Sequence, residues 1–484
     1  MESNNIQNHV VDEDRFSKLP DDILVYILEK ADIRTVIRAS FLSTRCRHLP
    51  SLLPRININV SDFMSAPINQ SVLDEAMATI IKAAGICLAA TGRETNMKTL
   101  NLRLCLTSKY LYTIGKLVSE AINNGTVNSV ELTLPTEKVS VDCNMADMMQ
   151  HTENLHAFFY AYPSLIRSLT KLLLHNARFD TQAVHRLLHS SEQLRHLILI
   201  HCIIGDQSIL KIDAPDSKIS HLRLRSCRFE KVEFICLPKL TELYMESWNS
   251  LDAPFSLGFV PCLEQLYLVC PVDRDQTGLS LSKLLHGTKE IKSLTLDFQG
   301  EKIWMLPEGK ELRPFFYKLN KMLIHGIFIK FGLLWTTTLL EAAPSLKTFG
   351  IKVCGHVCEE DTEAYRDVFS KRTNPWKKTN RLNSKHLQLT RLEFGGFMAI
   401  KKHVGFIRSM MAYAPNLETI ILDDKDSREP CDAANKNLAY SSTDSMFPKN
   451  KYEQDMILNQ LGAEVSSSVQ IIFKLKQIKW IVGK

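Results

Sequence analysis

Few residues of this chain are arranged to do chemistry. The sharpest local arrangement is Cys354-Gly355-His356-Val357-Cys358, two thiols and an imidazole in one short run. Cysteine and histidine are ligands that zinc prefers, but a structural zinc site takes four of them. No fourth ligand stands at a suitable spacing, and the segment continues an apolar, strand-like stretch, so no metal is expected. The sequence has no G-x-S-x-G, no glycine-rich phosphate loop and no H-E-x-x-H. Serine-hydrolase, P-loop and zinc-protease chemistry therefore lack their usual signatures. No thiol is flanked by a recognisable Cys/His catalytic arrangement. A non-catalytic chain without a cofactor is expected.

Side chains suited to binding are easier to find. Arg223 and Arg225 stand two residues apart, and Tyr244 and Tyr267 hold matching places in the next two stretches of a recurring pattern. Arginine and tyrosine are enriched among interface anchors, so these four are the expected contacts to a protein substrate. The pattern that positions them is apolar-x-x-apolar-x-apolar. It starts at Met97, Val127, Leu169, Leu194, Ile219 and Leu240, then at Leu263, Ile291, Leu319, Leu346, Leu389 and Leu417. From Leu169 to Leu346 successive starts lie 25, 25, 21, 23, 28, 28 and 27 residues apart. That is the spacing and core motif of a leucine-rich repeat. Each repeat offers a short strand whose alternate residues point one way. A single strand cannot bury that face, but parallel stacking makes one continuous core. Prolines precede several of the strands (Pro238, Pro261, Pro344, Pro415), where no ladder hydrogen bond is yet needed. The asparagine usual after the strand is mostly missing, with Cys202 and Cys227 in comparable places. The polar stretch Cys358 to Lys385 reads as an inserted loop or extra helix.

The bulk numbers agree with a globular chain. It has 484 residues, 45% hydrophobic and 23% charged, with a formal charge of +6. That bias is weak for the length, and no dense basic run with interleaved aromatics accompanies it, so no nucleic acid partner is expected. No apolar stretch approaches the ~18 residues a membrane span needs. The most apolar window, His325 to Ala343, is broken by Lys330 and Glu341. No membrane partner and no signal peptide are expected, which places the chain in the cytoplasm and/or nucleus. There its twelve cysteines would stay reduced. Cys105, Cys202, Cys227, Cys236 and Cys270 fall in apolar segments and read as small buried hydrophobes.

Residues 14–60 have a different character. Pro20 suits a first helical turn, and Asp21 and Asp22 suit the positive end of the helix dipole. Ile23, Leu24, Ile27, Leu28 and Ala31 then form an apolar stripe. Asp32 reads as the N-cap of a second helix holding Ile33, Val36 and Ile37. Ala39 to Leu49 follows as a third, mixed apolar and basic segment. Leu19-Pro20-Asp21-Asp22-Ile23-Leu24 with Leu42-Ser43-Thr44-Arg45 resembles the F-box. The chain departs from that family at Cys46, where plant members usually carry tryptophan, and at Leu49-Pro50, where a second aromatic is common. The resemblance implies docking on the Skp-type adapter of an SCF ubiquitin ligase, and through it on a cullin scaffold. Implied adapter contacts are Leu19, Pro20, Ile23, Leu24, Ile27, Leu28, Leu42 and Leu49. A module this small buries little by itself, which suits a partner-covered surface.

Leu389 to Asp424 reads strand, helix, strand, with Val404, Ile407, Met411 and Ala414 on one face of the helix Ile400 to Ala414. A loop at 425–449, a helix near Tyr452 to Leu461 and a strand-like Val469 to Ile481 follow. This part is similar to the FBD segment at the end of many plant F-box/leucine-rich-repeat proteins. The expected fold class is α/β: a disordered start (1–13), a three-helix F-box (14–60), an irregular leucine-rich-repeat solenoid with a parallel sheet (95–380) and an FBD-like segment (381–484). The expected role is substrate recognition for an SCF-type ubiquitin ligase, the repeats holding the unidentified protein to be ubiquitinated. A small-molecule-sensing or scaffold repeat protein with weak or lost adapter binding is the alternative.

Overall fold

The computed structural model describes residues 16, 18–64, 70–88, 97–105, 108–138, 140, 142–205, 209–248, 253–270, 278–288, 291–354, 374–376, 387–424, 447–462 and 469–475. They fall into two compact units, Met1–Asn176 with Ser190–Leu194, and Ala177–His189 with Arg195–Lys484.

The first unit opens with α1 (Asp21–Glu29), α2 (Ile33–Ser40) and the short α3 (Leu49–Leu52). Pro20 takes the N-cap of α1, one place before the first-turn position expected of it. Asp32 caps α2 as its sequence suggests, accepting the Thr35 N–H at 2.9 Å. The third segment is a 3₁₀ turn, Cys46–His48, leading into α3. Leu24, Leu28, Ile33, Val36, Cys46 and Leu49 are buried. Cys46 thus occupies the interior of the module, where a tryptophan would need far more room.

Four parallel strands follow in chain order: β1 (Arg55–Asn59), β2 (Thr99–Arg103), β3 (Val130–Leu134) and β4 (Leu169–His175). The helices α4 (Gln70–Leu88), α5 (Ser108–Asn123), α6 (Met145–Ala161) and α7 (Pro163–Ser168) lie between them along the chain. The sheet therefore begins earlier than the repeat series read from the sequence. Leu53-Pro-Arg-Ile56-Asn-Ile58 carries the same motif, its three apolar residues are buried, and β1 pairs in register with β2. Arg34 on α2 fastens the helical module to this first repeat, donating to the Asp62 carbonyl at 3.0 Å.

In the second unit the main sheet has ten described strands, all parallel to their neighbours and in chain order. They are His196–Ile200, His221–Arg225, Glu242–Glu246, Gln265–Val269 and Ser293–Asp297, then Lys321–Phe328, Thr348–Cys354, Arg391–Gly395, Thr419–Asp423 and Gln470–Lys474. Alternate residues of the strands are buried, and in some strands an outward-row residue such as Thr295, Gly350 or Ile421 is covered as well. In His221–Arg225, Leu222 and Leu224 are buried while Arg223 and Arg225 are exposed. Beneath the early repeats a second parallel sheet (Ile209–Asp213, Lys231–Cys236, Phe255–Phe259) contributes Phe234 and Phe255 to the core. Later repeats supply helices instead, among them Lys401–Tyr413, whose Val404, Ile407 and Met411 are buried with Ala414 just beyond. The last three strands lie in the same sheet as the repeats, so the segment expected to be FBD-like continues the array.

A left-handed residue closes many strands: His201, Ser226, Ser247 and Gly396 all have φ between 49° and 66°. This turns the chain so that Cys202, Cys227, Trp248 and Phe397 point inward and are buried. Cys227 Sγ donates to the Leu199 carbonyl at 3.4 Å, and Cys202 Sγ to the Ile200 carbonyl at 3.5 Å. The two thiols thus meet strand-end carbonyls from the places the sequence marked for the missing asparagine. Cys236, expected to be buried, is only half-buried. The start at 1–13, His356 and Cys358, all but residues 374–376 of the insertion ending at Lys385, and the loop at 425–446 lie outside the described residues.

Candidate functional site

Two surfaces have the residue types of a binding site. The first lies on the helical module. At ~100° per residue, the stripe Ile23, Leu24, Ile27, Leu28 is too wide for a single core. The structure divides it. Leu24 and Leu28 are buried, and Leu49 joins them inside. Ile23 and Ile27 remain 42% and 40% exposed, and Leu42 is 67% exposed. Pro20 is exposed and Leu19 half-buried. Of the eight sequence-derived positions, three thus serve the module's own core and are not available at its surface. Two surface residues were missed: Tyr26, 62% exposed, and Phe41, 80% exposed. Tyr26 was legible as the i+3 neighbour of Ile23. Phe41 carried no periodic signal, because it stands just past the end of α2.

Arg45 holds this surface together. Its Nε donates to Asp21 Oδ1 at 2.8 Å and its Nη2 to the Leu19 carbonyl at 2.6 Å. The Leu-Pro-Asp-Asp run and the Leu-Ser-Thr-Arg run, separate in sequence, become one structural feature.

The second surface is the exposed face of the sheet in the second unit. Strand register places Arg223, Tyr244 and Tyr267 side by side on three adjacent strands. The Arg223 guanidinium lies 5.7 Å from the Tyr244 ring centroid, and the Tyr244 and Tyr267 rings are 5.9 Å apart. All four sequence-derived substrate residues are therefore brought together. The arginines are also engaged within the face. Arg223 donates through Nε and Nη2 to Glu242 Oε1 at 3.1 and 2.8 Å, and the Glu242 side chain is only 10% exposed. Arg225 reaches Glu246 at 2.8 Å. Tyr244 donates its hydroxyl to the same Glu246 at 2.6 Å. Burial, followed by that hydrogen bond, raises the Tyr244 phenol pKa. The hydrogen bond to Glu246 likewise holds the Arg225 guanidinium protonated. The rings of His196 and His221 stack at 4.3 Å beside this cluster.

The outward residues form rows across the strands. The central row runs Ile198, Arg223, Tyr244, Tyr267, Thr295, Leu323. On one side stand His196, His221, Glu242, Gln265, Ser293 and Lys321, all polar. On the other, charges of both signs recur, with Arg225, Glu246 and Asp297 among them.

The first unit also holds a cavity of about 350 Å³ past the ends of β1–β4, lined by Val60, Leu73, Arg103, Cys105, Glu137 and His175 among others. Burial pushes the Cys105 thiol up to about 12, and burial also raises the Glu137 carboxyl. A thiol held protonated is a poor nucleophile and a poor metal ligand.

Comparison with known proteins adds the following. Residues 93–474 match the family described as At1g61320/AtMIF1, LRR domain, and residues 16–55 match the F-box domain. The F-box/FBD/LRR-repeat protein At5g56420 of Arabidopsis thaliana is 24% identical over 311 residues, covering 58% of this chain. The match spans 65% of that relative's length, less than two thirds of it. The leucine-rich repeat-containing protein LegL7 from Legionella pneumophila aligns at 13% identity, over 79% of this chain and 95% of its own, with a TM-score of 0.24. A likeness that distant bears on neither fold nor function.

Proposed function

We propose, from the premise that this chain is a plant-type F-box protein belonging to the At1g61320/AtMIF1 leucine-rich-repeat family, that it is a non-catalytic substrate-recognition subunit of an SCF-type ubiquitin ligase. The F-box docks on a Skp-type adapter, the adapter connects to a cullin, and the repeats hold the protein to be ubiquitinated. The site of action is the cytoplasm or nucleus, where those partners meet it.

One observation carries the reading. The module leaves Ile23, Tyr26, Ile27, Phe41 and Leu42 at its surface while Leu24, Leu28 and Leu49 fill its core. Fully burying a side chain of that size is worth roughly 1.5–3 kcal/mol, and a partner gains the share of it that is still exposed at each residue. Several such anchors on one small module favour a second protein over solvent. Leu19 and Pro20, next to this surface, border the adapter contact, and Leu24, Leu28 and Leu49 shape it from inside. Arg223, Arg225, Tyr244 and Tyr267 are the substrate-facing residues.

Co-purification tests it. Tagged wild-type chain is expected to bring down a Skp-type adapter and a cullin, and Leu19→Ala with Pro20→Ala to lose both. A wild-type chain that recovers neither removes the reading. The cavity past β1–β4 favours a second reading, in which the repeats sense a small molecule. A ligand that raises the melting temperature of the wild-type chain but not of Arg103→Ala would support it.

A further inference from the structure

We infer that the exposed sheet face between the strands His196–Ile200 and Lys321–Phe328 receives one amphipathic helix of a partner protein, lying across the strands with its apolar stripe on the central row. The inference deepens the reading of the repeats as the cargo-holding part and rests on it.

The first argument is the layout of the rows. Ile198, Tyr244, Tyr267 and Leu323 are half-buried, so each keeps part of an apolar side chain at the surface. Between Tyr267 and Leu323 the row drops to Thr295, which is buried, and whose hydroxyl finds no partner in the structure. The row also holds Arg223, paired with Glu242, and the bordering rows are polar on one side and on the other set Arg225, Glu246 and Asp297 among Ile200, Val269 and His325. An apolar centre with a polar rim is the anatomy of a protein interface.

The second argument is periodicity. Neighbouring strands lie about 4.8 Å apart, and an α-helix rises about 5.4 Å per turn. A helix laid across the strands therefore offers about one apolar side chain per strand. Over the five intervals from Ile198 to Leu323 the mismatch accumulates to only about 3 Å. An extended segment presents same-side residues about every 6.8 Å and falls out of step by about 2 Å at every strand. A helix of about 16 residues spans the row.

The third argument is charge. The cations nearest the tyrosines are already taken: Glu242 and Glu246, with side chains only 10% and 15% exposed, hold Arg223 and Arg225. A strongly acidic partner would have to break these pairs. A helix with an uncharged stripe and mixed flanks leaves them intact.

The test pans a displayed library of random 16-residue peptides against the full chain. Enriched sequences are expected to carry Leu, Ile, Phe or Trp at i, i+3 or i+4, and i+7, and to gain helical circular dichroism on binding. Their affinity should fall about tenfold or more for Tyr244→Ala with Tyr267→Ala, and separately for Leu323→Asp. Tyr244→Phe with Tyr267→Phe should stay within about twofold, because the rings carry the contact. The phenylalanine pair and the separate Leu323 strand keep the result readable if one variant folds poorly. Enrichment of acidic sequences, sequences without helical spacing, no enrichment, or unchanged binding by both disruptive variants would overturn the inference. Adapter co-purification on the same wild-type preparation reports on the F-box alone, so failure of the two readings can be told apart.

Discussion

Arg45 and Asp21 join the two halves of the helical module across 24 residues, Nε to Oδ1 at 2.8 Å, while the second arm of the same guanidinium takes the Leu19 carbonyl at 2.6 Å. Both side chains are about two-fifths exposed, so the ion pair alone is worth no more than about 1 kcal/mol. Losing the carbonyl contact as well brings Arg45→Ala to about 1–2 kcal/mol. Amide hydrogen exchange in α1 should quicken roughly tenfold in that variant. Arg45→Lys should recover little of it, because one ammonium does not reproduce a two-armed fork.

Acid should weaken the fold through two buried histidines. His403 packs against the rings of Phe394 and Phe397 and accepts the Met398 N–H at 3.1 Å. Burial lowers its pKa to about 4, and burial lowers His151 to about 4 as well. An unfolded histidine titrates near 6.5. Between about pH 6.5 and 4 the unfolded chain binds these protons and the folded chain does not. Stability therefore falls as pH drops through that window and levels off below it. Each histidine contributes up to about 3 kcal/mol to the fall. The melting temperature of His403→Gln, followed from pH 7 to pH 4.5, should decline less steeply than that of the wild type.

The thiols should react in order of burial. Cys262 is exposed, whereas Cys105, Cys227 and Cys270 are buried. Burial pushes Cys105 and Cys270 up to about 12 and raises Cys227 well above its ordinary value. Alkylation needs the thiolate. Peptide mass spectrometry after iodoacetamide at pH 8 should find Cys262 modified well before Cys105, Cys227 and Cys270, which react only in denaturant. Early labelling of Cys227 would contradict its place beneath the strand ends.

Gly326 interrupts the strand Lys321–Phe328 with φ +63°, and a methyl group there would run into the Gln299 amide and the Asp297 carboxylate. Gly326→Ala should cost roughly 2–4 kcal/mol, read as a lower denaturant midpoint.

The sequence made the repeats legible because alternation and spacing are local. The twelve L-x-x-L-x-L stretches anticipate most of the strands, and the inward leucines are buried. It hid the repeat at Leu53, because that strand directly follows the helical module and has no earlier repeat to set its phase. The second sheet, with Phe234 and Phe255 inside it, went unread, since irregular segments between repeats carry no fixed period. On the helical module, periodicity showed that Leu24, Ile27 and their neighbours are apolar. It did not show which would meet the module's own core, because that depends on where the chain after Cys46 folds back. The pairing of Arg223 with Glu242 was equally invisible: the two are 19 residues apart and meet only through strand register.

The most direct test is calorimetric titration of the purified full chain with a Skp-type adapter. The account predicts a one-to-one complex with Kd below about 1 μM. It also predicts that Ile27→Asp with Leu42→Asp weakens binding about a hundredfold or more while the melting temperature holds. A wild-type chain that shows no binding heat, or a double variant that binds as tightly as wild type, would contradict it.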